Sequence, residues 1–243
     1  MYSLDQVVAF PPISVVLSLL LIVACDGIGV TLLRVFGLSS LGVHRWQRWQ
    51  APVVGAMALG VVLYPLALAG LTSRLFMRSV AFACVGLGLL HTVRVIRGFV
   101  SMRQGSLYLF ISAIPSQLHG WNSLILLLLA GMGLVALGPV TNADSLDYHI
   151  GVPIALLNEG GMPFAPEWFH SRLAGNGEVL NALGLAVGAE QFGALLQFAG
   201  LMGIVGLLLR AESNYEHQGE TTAAKLRPMI ALAALSAPVL LLL

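Results

Sequence analysis

Long apolar runs constrain this chain more than any other feature. Ile13 to Phe36 contains two charged side chains, Asp26 and Arg34, and is otherwise mostly Leu, Val, Ile, Ala, Gly and Ser. Runs of similar character cover Ala51 to Leu71, Ser79 to Ile96, Trp121 to Pro139 and Glu190 to Leu209, and a sixth begins near Met229 and is still running at Leu243. About 20 apolar residues in a helix cross the hydrocarbon of a bilayer. Charged residues make up 9% of the chain and its mean hydropathy is +0.89, against about 25% charged in soluble domains. The expectation is an all-α fold, a polytopic transmembrane helix bundle with an outer loop of short surface helices. The net charge of +1 excludes a nucleic-acid partner, which would need a basic face. Membrane lipid is the partner that composition implies.

The ends and the organisation follow from the same pattern. MYSLDQVV has no basic stretch and no small-residue cleavage site after it, so the first run reads as a retained helix. Met229 to Leu243 is too short to span, so the chain is expected to be an N-terminal piece cut inside a helix. Three regions result: residues 1–140 with about four transmembrane helices, a loop region at 141–189, and residues 190–243 with further transmembrane helices. Gly105 to Leu118 is short and broken by Pro115, and reads as interfacial or re-entrant. Cys25 and Cys84 fall inside apolar runs and read as small buried hydrophobes. Glycines within the runs, such as Gly184, Gly188, Gly200 and Gly203, suit close helix packing.

Basic residues set the orientation. With the amino terminus outside, one side receives nine of the twelve (Arg34, Arg45, Arg48, Arg94, Arg97, Arg103, Arg210, Lys225 and Arg227) and the other receives Arg74, Arg78 and Arg172. The nine belong in the cytoplasm. Thr141 to Glu178 is then outside, as a loop of a multi-pass protein of the bacterial plasma membrane. Asp26 and His91 fall within runs. An intramembrane charge is costly and marks function by default; the alternative is that Asp26 pairs with His91 or Arg94.

Thr141 to Glu178 is the one long polar interval, holding Asp144, Asp147, Glu159, Glu167, Arg172, Glu178, His149 and His170. Asp144, Asp147, Tyr148 and Gly151 share one face of a helix, capped by Thr141 or Asn142, kinked by Pro153 and ended by Gly160 and Gly161. Two carboxylates at a helix start can serve as a general base or hold a divalent cation at Asp144 and Asp147. They equally suit plain capping on a solvated face. His149 points away from Asp144 on a regular helix and suits structural hydrogen bonding. His170 and Arg172 follow Trp168 and Phe169 at the expected membrane surface. There Arg172 suits an oxyanion, while Trp168 suits an interfacial anchor. A zinc site from Asp144, His149 and His170 matches no metal signature closely.

The order Asp144-Ser145-Leu146-x-Tyr148-His149, a helix ending Glu159-Gly160-Gly161, Pro163, then Phe169-His170-Ser171-Arg172-Leu173-Ala174-Gly175-Asn176, a short helix ending at Gly188 and a spanning helix resembles the first large outer loop of GT-C polytopic glycosyltransferases. The resemblance covers roughly Gly138 to Arg210. It implies transfer of a sugar from a polyprenyl-phosphate donor at the outer membrane face. Asp144 would be the general base and Asp147 its support or a metal ligand. Tyr148, His149, His170, Arg172 and Asn176 would contact substrate, with Arg172 and His170 toward the donor phosphate. Here the usual Asp-Glu pair reads Asp144-Ser145, and about four spans precede the loop instead of one. Two other classes stay open: a transporter or channel component with Asp26, His91 and Arg94 on an ion path, and a non-catalytic assembly subunit. A carrier concentrates charge at mid-membrane between broken helices; this chain concentrates it in one loop.

Overall fold

The computed structural model describes residues 9–37, 50–101, 121–141, 143, 146–165 and 167–215. Among these the chain is all-α, without a strand. Helix α1 spans Pro11–Val35, α2 Ala51–Leu68, α3 Arg74–Ser101 and α4 Trp121–Ala136. A π-helical turn at Leu146–Gly151 leads into α5, Val152–Glu159. A 3-10 turn at Phe169–Leu173 precedes α6, Asn176–Leu185, and α7 covers Phe192–Tyr215. Three helices are long and apolar enough to cross a membrane: Pro11–Val35, Ala51–Leu68 and Arg74–Arg94. The expected sixth run, from Met229, lies outside the described residues, as does Gly105 to Leu118.

Prolines and glycines set the helix ends. Pro11 and Pro12 open α1, where a missing N–H costs nothing because the first turn has no acceptor for it. The α2–α3 turn runs through Gly70 at φ +69°, a left-handed conformation that glycine adopts without a Cβ clash.

The first three helices pack through backbone-to-backbone crossings. A Cβ on Gly29 would lie 1.8 Å from the Ala51 carbonyl oxygen, and one on Gly55 1.9 Å from that of Cys25. These pairings run residue 29 against 51 and 25 against 55, so α1 and α2 are antiparallel. Gly88 of α3 abuts the Leu20 carbonyl and Gly27 abuts the His91 ring, so α1 and α3 are parallel. Small residues allow this approach, and close packing holds helices together where lipid gives no hydrophobic drive between them. Helices α4 and α7 form a second, antiparallel pair around Ile125, Leu129 and Val205, with Gly133 beneath the Phe198 ring.

These directions bring the starts of α1, α3 and α7 and the ends of α2 and α4 to one end of the bundle. The 141–191 region is fastened there. Thr72 N–H and Oγ donate to the Gly160 carbonyl (2.8 and 3.1 Å), and Met162 N–H donates to that of Ala67 (3.0 Å). Arg78 Nε donates to the Ala186 carbonyl at the end of α6 (2.9 Å), a favourable place for a cation. Ser14 Oγ donates to Gln191 (2.6 Å) and accepts from Glu190 N–H (3.0 Å), while Glu190 accepts from Val140 N–H (2.8 Å). The end of α3 and the start of α4 therefore lie together at the opposite end.

The short helices are packed in. Val152 to Leu157 are six consecutive buried residues. In α6, Val179, Ala182, Leu183 and Leu185 pack with Leu63 and Ala67 of α2 and Met77 and Ala81 of α3. The region forms a cap seated between helix ends, with its polar groups confined to one edge.

Candidate functional site

That edge is built from the π-turn, the 3-10 turn and the first turn of α6. Sequence spacing predicts one helix from about Thr141 to Gly160. The structure divides it at Gly151, with the wide turn before Pro153 and an α-helix from Val152. Pro153 falls in the first turn of this α-helix, where a missing N–H is tolerated; the π-turn before it is a type of turn frequent at functional sites. Gly160, at φ +77°, ends α5 as expected.

The widened turn aims consecutive side chains into one cluster. Asp147 Oδ2 pairs with His170 Nδ1 and accepts from Trp168 Nε1 (3.3 Å). Tyr148 Oη donates to the Leu173 carbonyl (2.9 Å). Its ring lies 4.7 Å from that of His149 and 5.5 Å from that of His170, centroid to centroid. His149 Nδ1 is 3.3 Å from Glu178 Oε1, within ion-pair range but without hydrogen-bond alignment. Glu178 is 4% exposed, and its Oε2 accepts from Gly175 N–H at 2.9 Å. Gly151 lies under this cluster: a Cβ there would meet the Trp168 ring at 3.4 Å, an ordinary contact distance. Ser171 Oγ reaches the Ala165 and Trp168 carbonyls, 2.8 Å each, and holds the 3-10 turn closed.

Two carboxylate–imidazole pairs thus share Tyr148, and both engage Nδ1. At the Asp147–His170 pair the carboxylate on Nδ1 fixes the ring's tautomer and orientation. The His170 and Trp168 hydrogen bonds hold the Asp147 carboxyl below its ordinary range. For Glu178, burial pushes upward, but His149 and the Gly175 amide outweigh it and the net direction is down. Both acids are therefore anionic at neutral pH.

Of the residues singled out by sequence, Asp147, Tyr148, His149 and His170 come together. Arg172 stands on the same turn as His170. With three residues per turn it aligns with Phe169, and both are exposed. Asn176 begins α6 and faces Gly60 of α2, where a Cβ would be 3.7 Å away. Asp144, Asn142 and Ser145 lie outside the described residues, so the geometry does not bear on the proposed base or on a cation at Asp144 and Asp147. Among the described residues no three His, Cys, Asp or Glu side chains gather as a metal site.

Two members escaped the sequence reading. Glu178 was grouped with the loop's charges, although Gly175-x-x-Glu178 has capping-box spacing. Trp168 was read only as an anchor, yet its indole N–H holds Asp147. Away from this edge, Asp26 Oδ2 pairs with His91 Nε2 at 3.0 Å, the pairing given above as the alternative to an ion path. Phe164, Phe169 and Leu173 are exposed beside the cluster, an apolar rim suited to a membrane boundary.

Comparison with curated proteins and with solved structures returns no match for the chain. Its sequence does match a family model described as the DUF1420 N-terminal domain over residues 1–110 and 116–243, so the chain belongs to the DUF1420 family.

Proposed function

We propose that the chain forms the membrane-embedded catalytic part of a GT-C-like glycosyltransferase, which moves a sugar from a polyprenyl-phosphate donor to an acceptor at the outer face of the membrane. The observation that carries this reading is the pair of carboxylate-held imidazoles around Tyr148, at the end of an apolar helix bundle and beside an exposed apolar rim. A lipid-linked donor keeps its phosphate in the plane where that edge lies. Asp147, held anionic, is a weak base and serves to orient His170. His170 with Arg172 then faces the donor phosphate and stabilises the leaving oxyanion. His149, backed by buried Glu178, lines the acceptor side. Asp144, by resemblance, takes the acceptor's hydroxyl proton. The basic-residue bias supports placing this edge outside.

The test is protection of His170. Diethylpyrocarbonate modifies neutral imidazoles, and the modified residue is identified by mass spectrometry. In reconstituted full-length protein, polyprenyl phosphate should slow modification of His170, and Arg172→Gln should abolish the protection. Equal rates with and without polyprenyl phosphate would remove the phosphate-facing role.

A further inference from the structure

The proposed transfer chemistry gives Trp168 no role, yet its indole is fixed from both ends. The backbone N–H of Trp168 donates to the Ala165 carbonyl (3.0 Å). Its own carbonyl accepts from Ser171 N–H (3.1 Å) and from Ser171 Oγ (2.8 Å). At the far end of the side chain, ring atom Cζ2 rests over Gly151, at ordinary contact distance (3.4 Å) from the place of a Cβ. Trp168 is half-buried, and its Nε1 lies 3.3 Å from Asp147 Oδ2. His170 Nδ1 meets that same oxygen.

An indole N–H can only donate, and an anionic carboxylate can only accept. The Asp147 carboxyl is held below its ordinary range, so the proton between Asp147 and His170 sits on Nδ1. Nε2 is then the nitrogen left for substrate. The Asp147 side chain is 52% exposed. With His170 as its single partner, a carboxylate that exposed would be free to turn Oδ2 toward water, and Nδ1 would lose its acceptor. A second donor on Oδ2, carried by a ring held at both ends, removes that freedom.

We propose that Trp168 is a positioning residue for His170: its indole N–H fixes Asp147 Oδ2 against His170 Nδ1 and so commits the imidazole to the tautomer that presents Nε2 to the donor phosphate. The use made of Nε2 rests on the phosphate-facing role proposed above. The tautomer itself rests on the hydrogen bonds alone.

The tautomer is read by 15N NMR of the full-length protein labelled at histidine nitrogens, at about pH 8.5, above the ordinary histidine range. His170→Asn identifies the His170 signals by their loss. In the wild type the proton should favour Nδ1 by about tenfold or more, the bias expected of a hydrogen bond to a charged acceptor. Trp168→Phe should cut that bias by about fivefold and lower sugar transfer by about tenfold. Replacing Trp168 by 3-benzothienylalanine, which keeps the ring and exchanges its N–H for sulfur, should do the same, and takes the place of Trp168→Phe if that variant is not recovered folded. A wild type with the proton on Nε2 would overturn the inference. So would an unchanged bias in the benzothienylalanine variant, because packing alone would then hold His170. A lost bias with undiminished transfer would overturn the positioning role, whereas a wild type that transfers no sugar would count against the reaction and not against the lock on the tautomer.

Discussion

Glu178 is where the site and the fold meet, and replacing it separates the two contributions. The side chain is 4% exposed and its Oε2 takes the Gly175 N–H at 2.9 Å. Glu178→Ala removes a charge-assisted hydrogen bond, leaves that amide without its acceptor and opens a small void; the bond alone is worth about 1.5–3 kcal/mol. A total near 3 kcal/mol lowers the melting temperature by about 6–12 °C for a chain of this size. Glu178→Gln keeps shape and an acceptor oxygen but drops the charge opposite His149, for a cost of about 1 kcal/mol and a shift of about 2–4 °C. The pH dependence has a definite sign. The folded carboxyl titrates below its ordinary value of 4.5. Its stabilisation is complete above about 4.5 and is lost as pH falls through the lower folded value. Thermal unfolding in detergent, followed by circular dichroism between pH 7 and 3.5, should show an acid-side loss in the wild type that is smaller in Glu178→Gln. Equal melting of Glu178→Ala and Glu178→Gln would mean that the charge, which both variants lose, carries the effect, and not the hydrogen bond or the volume. An unchanged acid limb in Glu178→Gln would refute the titration argument.

Two further outcomes follow from the bundle. Gly55→Ala places a methyl 1.9 Å from the Cys25 carbonyl, so α1 and α2 must separate at a cost of about 1–3 kcal/mol. Gly131→Ala, with nothing within 4 Å of the new Cβ, should leave stability unchanged; equal losses in the two variants, read by melting in the same detergent, would contradict the crossing. On topology, single cysteines at Ser145 and Ser213, in a background lacking Cys25 and Cys84, should react differently with an impermeant thiol reagent in intact cells. Position 145 should label and 213 should not, because α7 carries residue 213 away from the loop end; the reverse pattern would invert the orientation.

The helical bundle was legible because periodicity is irrelevant to a helix that lipid surrounds: length and apolarity suffice, and α1 and α2 begin and end within three residues of the sequence reading. Gly160 and Gly188 were legible because each takes the left-handed conformation that favours glycine. The burial of α5 was not. Ile154 to Leu157 reads like any apolar helix face, and its packing against α6 together with residues of α2 and α3 explains why both sides of it are covered. The cluster was half legible. Asp147, Tyr148, His149 and His170 stood out by residue type, but a regular helix turns His149 away from the acids, and the π-turn at Leu146–Gly151 changes that geometry. Glu178 was hidden because its capping-box spacing starts at Gly175, which lacks the Ser or Thr side chain that marks the motif. Arg172 is grouped with His170 by sequence, whereas the 3-10 turn aligns it with Phe169.

The central claim is that the edge around Tyr148 performs sugar transfer from a lipid phosphate. Its most direct test is transfer of radiolabelled sugar from a panel of polyprenyl-monophosphate sugars to endogenous membrane acceptor, by full-length protein in vesicles. Wild-type protein should transfer label from at least one donor. Asp144→Asn should abolish transfer without lowering the protein's level in the membrane, and Arg172→Gln and His170→Asn should each reduce it by about 10²–10³. No transfer from any donor by folded wild-type protein, or full transfer by the Arg172→Gln and His170→Asn variants, would contradict the account.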